Sequence, residues 1–228
     1  MRPELTHRDE YGVAAPVLVW RFDSPMQAIA SGPLGGGIGA RHWLVNASVP
    51  MSYDQQDPDV HLAAIASGLG LRGPGVGLLT GVDVADFVAA EDGDVSVVAT
   101  VGLGAPAWAA APDDDLVRAR PGTINIVAGL PVALTAAALV NAVATIAEAK
   151  AQALWELALP ATGTATDATC VLCPMQGDAE PYAGPRSRWG ARLARAVHAA
   201  VLAGGRSWLA GGDLWSARLA RSGGVALT

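Results

Sequence analysis

The sequence is poor in several things at once, and each shortage excludes a class of protein. Charged residues fill only 16% of the 228 positions, and acidic residues outnumber basic ones by 21 to 15. With a formal net charge of −6 and no basic stripe, the chain lacks the means to neutralise phosphates, so nucleic acid and anionic membrane surfaces are not expected partners. Cysteine occurs twice and the polar start MRPELTHRDE has no apolar core, which together predict a reducing, cytoplasmic setting. The histidines at 7, 42, 61 and 198 show no metal-ligand spacing, and neither a metal nor a cofactor held by the protein itself is expected. Phenylalanine is scarce too, with two copies against seven tryptophans, a balance that favours flat, planar contacts. Familiar signatures are also missing. No GK[ST] follows the glycine run SGPLGGGIGA (31–40), no clean GxGxxG precedes a helix, and no GxSxG elbow occurs.

What is present is the composition of a globular domain, 51% hydrophobic with 27 glycines and 15 prolines. A stretch without charge from Pro121 to Ala147 is long enough to cross a bilayer, but Asn125, Pro131, Thr135 and Asn141 interrupt it. It reads as a buried strand followed by a helix. Strands are predicted at 17–22 and 26–31 with a turn at Asp23–Pro25 between them, then at 42–49, 76–82, 95–102 and 123–130. EDGD (91–94) reads as a hairpin turn, and a charged loop spans Asp113–Asp115. Helices are predicted from Asp57 to about Leu69, from Thr135 to Leu157, and from Ser187 to a cap at Gly204–Gly205. The irregular alternation predicts an α+β fold, a mixed α/β architecture of layered sheet packed with helices. Residues 1–205 are expected to form a single domain and 206–228 a tail.

Two helices repay reading by angle. At 100° per residue, Leu139, Val143, Ile146, Leu154 and Leu157 share one arc of the 135–157 helix. Asn141, Thr145, Glu148, Gln152 and Glu156 fall opposite, as a solvated face or as one covered by a further layer. Lys150 breaks the pattern by sitting in the apolar arc, where its ammonium must snorkel out or meet a carboxylate or a substrate carbonyl. The last helix buries Trp189, Leu193, Val197 and Val201 and shows Arg188, Arg192 and Arg195 elsewhere.

The stretch ATGTATDATCVLCP (161–174) is the densest in chemistry. Cys170 and Cys173, three apart on a strand, point to opposite faces and read as buried thiols rather than a shared site. Thr162, Thr164 and Thr166 alternate; with Asp167 they orient a water or an amide, or else cap a strand end. Asn46 and Tyr53 are loop polars that contact substrate or form turns.

PGTINIV (121–127), VNAVATIAEAKAQAL (140–154), ATGTATDA (161–168) and PYAGPRSRWG (181–190) occur in an order that resembles the adenosylcobinamide amidohydrolase (CbiZ) family. VNASVPMSYDQQDP (45–58) and VGLLTGVDV (76–84) extend the similarity to about residues 17–203. The resemblance implies an amidohydrolase of corrinoid salvage, part of cobalamin biosynthesis, that cleaves the amide between a corrin-ring side chain and aminopropanol in adenosylcobinamide. The cobalt would arrive within the corrinoid. A homo-oligomer is compatible with this reading. The resemblance further implies Glu148 as general acid or base, Lys150 as its electrostatic partner or oxyanion donor, and Thr164 as nucleophile or donor oriented by Asp167. Asn46, Tyr53, Thr123, Asn125, Tyr182 and Arg186 are the implied substrate contacts. Two tensions accompany it. Glu148 and Lys150 point about 160° apart on a regular helix, and the family commonly carries a histidine where this chain has Arg186. The alternatives are a non-catalytic corrinoid-binding protein and a self-processing amidase with an internal threonine nucleophile. By analogy with layered threonine amidases, an αββα sandwich is one form that the layered α+β fold could take.

Overall fold

The structure is a computed structural model that describes residues 1–10, 12–50, 52–112 and 122–221. Strands β1 (Glu4–Glu10), β2 (Val13–Ala30) and β3 (Gly37–Ser48) lead into helix α1 (Pro58–Gly68) and strand β4 (Gly75–Thr80). A 3-10 turn at Val84–Asp86 precedes β5 (Val88–Asp92), β6 (Val95–Gly102) and the short β7 (Pro106–Ala107). Then follow β8 (Thr123–Gly129), α2 (Ala136–Glu156), the short β9 (Gly163–Thr164), β10 (Ala168–Cys173), α3 (Arg188–Leu209) and α4 (Trp215–Arg221).

The main sheet runs β4-β3-β2-β10-β8-β6-β5, with β1 added beside β2, while β7 and β9 pair separately. Only β3–β4 and β8–β10 are parallel among the described pairs, and each is joined by a crossover carrying a helix, α1 or α2. The alternation of side chains shows how the sheet folds over itself. Leu18, Trp20, Leu44, Val76 and Leu78 from one half share an apolar cluster with Val98, Val127, Cys170 and Leu172 from the other. The opposite faces point outward. Val17, Val19, Trp43, Val45 and Ala47 pack on Leu62, Ile65 and Ala66 of α1. Val97, Ala99, Ile124, Ile126 and Val171 pack on Leu139, Ile146 and Leu154 of α2 and on Leu193 and Val197 of α3. Four layers result, helix, sheet, sheet and helices, in which every central strand is buried on both faces.

Local signals explain the elements that match the sequence reading. Thr135 caps α2 by accepting from the Ala138 N–H at 3.1 Å, and Ser187 caps α3 through Gly190. Gly93, at φ 58°, makes the β5–β6 turn.

Three expectations are corrected. Residues 17–22 and 26–31 are not two strands parted by a turn; they belong to the single strand β2, and Asp23–Pro25 mark a register shift against β3 between Arg21 and Met26. A proline can sit at such an irregularity because the ladder asks no N–H of it there. The second half of the 31–40 glycine run is strand β3. Gly204 and Gly205 do not cap α3 but lie buried inside it, where a Cβ would meet Val101 Cγ2 at 2.7 Å and the Leu157 side chain. The glycines let α3 press on β6 and on the end of α2. Beyond it, Trp215 is buried and its N–H donates to Gly81 O at 3.0 Å, returning the chain to the end of β4. The Asp113–Asp115 loop and Pro121 lie outside the described residues. No described helix is long and apolar enough to cross a membrane.

Candidate active site

The layer between the two sheet halves changes character along its length. At one end it is apolar, and at the other it holds Asn46, Ser48, Thr80, Thr100, Thr123 and Asn125, six of the eight buried polar residues described. These side chains come from β3, β4, β6 and β8 and continue the inward-facing rows that begin with Leu44, Leu78, Val98 and Val127. They bond across the sandwich. Asn125 Nδ2 donates to Asn46 Oδ1 and to Leu79 O, both at 2.9 Å, and Asn46 Nδ2 donates to Thr100 Oγ1 at 3.1 Å. Asn125 Oδ1 is buried with no partner among the described residues.

Above this polar layer opens a cleft of ≈ 440 Å³. Tyr53, Thr80 and Gly81 line it on the β3–β4 side, and Thr123, Thr166 and Asp167 on the β8–β10 side. Thr123 and Thr166 pair through their hydroxyls at 3.0 Å.

Asp167 stands just before β10 and gathers four donors. Its Oδ1 accepts from the Ile124 N–H at 2.9 Å and from Thr164 Oγ1 at 2.5 Å; its Oδ2 accepts from the Thr164 N–H at 3.1 Å and from Lys150 Nζ. Lys150 therefore does not snorkel. It crosses from the apolar arc of α2 to an ion pair in which both side chains are largely buried, 16% and 13% exposed. Gly163 makes this possible, because a Cβ there would collide with Asp167 Oδ2 and come within 2.6 Å of Lys150 Nζ. Thr164 Oγ1 also lies 2.6 Å from Gly122 O, so its single proton is shared between that carbonyl and Asp167. Thr162 faces away and accepts from the Ala109 N–H at 2.9 Å.

The other residues singled out in the sequence lie elsewhere. Glu148 is exposed, and α2 is regular through both it and Lys150, so the two leave the helix on opposite sides. Its polar stripe is covered near Asn141 and Thr145, where Thr145 Oγ1 donates to Ala183 O at 2.8 Å and Asn141 accepts from the Ala183 N–H, and at its end His198 of α3 lies 3.0 Å from Glu156. Tyr182 and Arg186 are exposed on that covering segment, which follows the end of β10 remote from Asp167. Cys170 faces the inter-sheet cluster and Cys173 the helices. Burial pushes the Cys170 thiol up to about 12 and raises that of Cys173 as well. On α3, Arg188 and Arg192 each stack 5.1 Å from the Trp189 ring centre, and Arg195 pairs with Asp92.

Of a second group beside the cleft, sequence reasoning named only Tyr53. Tyr53 stacks on His61 of α1, with its hydroxyl 3.1 Å from His61 Nδ1, and His61 Nε2 lies 3.2 Å from Glu10 Oε1. Glu10, 5% exposed at the end of β1, is paired with Arg8, which also donates to Ser48 O at 2.7 Å. No local pattern joins these partners, which lie on three separate segments of the chain. Among the described residues, no cluster of three or more His, Cys, Asp or Glu is arranged to hold a metal ion.

The family model described as adenosylcobinamide amidohydrolase matches residues 2–212. A Halobacterium salinarum protein named adenosylcobinamide amidohydrolase is 42% identical over 144 residues, 60% of this chain and 62% of that relative's length. One of the same name from Methanosarcina mazei is 28% identical over 204 residues, covering 86% of this chain and 96% of the relative. With most of its length matched, cleft-forming strands included, the chain belongs to the adenosylcobinamide amidohydrolase family.

Proposed function

We propose that the protein hydrolyses the amide between a corrin-ring propionyl side chain and the aminopropanol arm of adenosylcobinamide, releasing adenosylcobyric acid for corrinoid salvage. One observation carries this reading. Motif residues scattered along the chain, Tyr53, Thr123, Thr166 and Asp167, meet at one cleft, with Asn46 and Asn125 beneath and Lys150 behind.

Amide hydrolysis needs a placed water, stabilisation of the tetrahedral oxyanion and a proton for the leaving amine. The hydroxyls of Thr123 and Thr166 hold carboxamide groups at the cleft wall, and Asn125 Oδ1, without a partner among the described residues, takes an amide N–H. Lys150 places a positive charge behind Asp167 that favours the developing oxyanion. Asp167, with both oxygens already accepting, acts by orienting Thr164 and the start of β8 rather than by taking a proton from water. The cobalt stays in the substrate.

The carrier alternative rests on Arg186, whose exposed place away from the cleft leaves the polar residues around Thr123 and Asp167 intact. Incubation of the purified protein with adenosylcobinamide, followed by chromatography, tests the proposal. The expected result is stoichiometric release of adenosylcobyric acid and aminopropanol. Tight binding of an unaltered corrinoid would instead establish the carrier. An intact 23.1 kDa chain in the active preparation dismisses self-processing.

A further inference from the structure

The saturated Asp167 leaves the reaction without a group to move protons, and the opposite wall of the cleft holds one. We infer that Tyr53, His61 and Glu10 form a proton relay in which Tyr53 is the catalytic residue, and His61 and Glu10 position and charge it. The inference rests on the amidohydrolase reading and deepens it.

The geometry gives the chain a direction. Glu10 Oε2 is occupied by Arg8, with Nη2 at 2.6 Å and Nε at 2.8 Å, which leaves Oε1 to His61 Nε2. A carboxylate buried to this depth is held by charge-assisted bonds, and it fixes the imidazole with its proton on Nε2. His61 Nδ1 then carries a lone pair towards the Tyr53 hydroxyl at 3.1 Å, and ring stacking at 5.5 Å holds the two side chains in register. Carboxylate, imidazole and hydroxyl stand in the order by which hydrolases activate an oxygen. The far end is also open. His61, Arg8 and Glu10 line a second hollow of ≈ 490 Å³ with His7 and Asp9, so the relay joins the cleft to solvent by a route that does not cross the substrate.

Each turnover uses the chain in both directions. Tyr53 takes a proton from water as it passes its own to His61 Nδ1. The water oxygen bonds to the amide carbon, and the carbonyl π pair moves to oxygen. The imidazolium is held by Glu10. On collapse the oxygen pair re-forms the carbonyl and the C–N bond breaks. The leaving nitrogen takes the Tyr53 proton, and His61 returns the one it held. Acid and amine leave with all of the water's atoms, and the relay is restored.

The test compares wild type with Tyr53→Phe, His61→Gln and the double variant, using adenosylcobinamide. Tyr53→Phe should lower kcat by about 10²- to 10⁴-fold, far more than it alters corrinoid Kd. His61→Gln should lower kcat as well, and the double variant should be no slower than Tyr53→Phe. Tyr53→Phe activity within twofold of wild type, or losses that multiply in the double variant, would overturn the relay while leaving the amidohydrolase reading intact. Nitrogen-15 NMR of the free protein needs no turnover. It should find His61 protonated at Nε2, with a Nδ1 shift that moves in Tyr53→Phe. A neutral Nδ1–H tautomer would overturn the relay even if wild type proved inactive on adenosylcobinamide.

Discussion

The two walls of the cleft are built on opposite principles. On the β8–β10 side both oxygens of Asp167 are taken, by two backbone amides, a hydroxyl and an ammonium, so the carboxylate is fixed in place. On the β3–β4 side Tyr53, His61 and Glu10 follow one another in a row, along which a proton can shift. The first wall suits holding a charge where an oxyanion develops, and the second suits passing protons to and from it. A network that is saturated resists change, whereas a linear one conducts it. The expectation is that damage to the saturated wall costs stability and rate together, and damage to the linear wall costs rate above all.

Lys150→Met should break the comparison hardest. It leaves Asp167 largely buried beside an apolar side chain, lowering stability by about 1–3 kcal/mol and kcat by about 10²- to 10³-fold, read by denaturation and by corrinoid assay. Glu148→Gln, on the far side of the same helix, should stay within about twofold. Equal turnover for Lys150→Met and wild type would return the lysine to a structural role. Gly163→Ala sharpens the point. Its Cβ collides with the ends of Asp167 and Lys150 rather than with backbone, so the ion pair should open, with kcat falling by about 10²-fold and stability by about 1–3 kcal/mol. Asn125→Ala removes two buried bonds beneath the cleft and should cost about 1–3 kcal/mol, raising KM more than it lowers kcat.

The smallest effect concerns Cys170, whose thiol is raised from 9.0 to about 12 by burial. Because the folded state favours the neutral thiol, this contribution to stability is complete below pH 9 and is lost as pH climbs towards 12. Cys170→Ala should therefore flatten the decline of Tm over that range, and native protein at pH 8 should resist thiol alkylation.

How much of this was legible in the sequence follows from the range of each signal. Helix α2 could be read from period and cap, since the arc of Leu139, Ile146 and Leu154 and the Thr135 cap act within a few turns. Thr123 and Asn125 shared a face because a strand alternates. Lys150 was conspicuous as a charge in an apolar arc, but its partner was not, because Asp167 meets it only when β10 lies beside β8. The break at Asp23–Pro25 looked like a turn because bulge and turn use the same residues, and only pairing with β3 and β10 separates them. Gly204 and Gly205 read as a cap for the same reason, since close packing and helix termination both call for glycine. Nothing local marked His61, whose meaning depends on a carboxylate from β1 and a phenol from the loop after β3.

The central claim, hydrolysis of the adenosylcobinamide amide at this cleft, is tested most directly by mass spectrometry after turnover in water enriched in oxygen-18. The account predicts adenosylcobyric acid carrying one heavy oxygen in its new carboxylate, together with unlabelled aminopropanol. Adenosylcobinamide recovered intact from a saturated protein would contradict it.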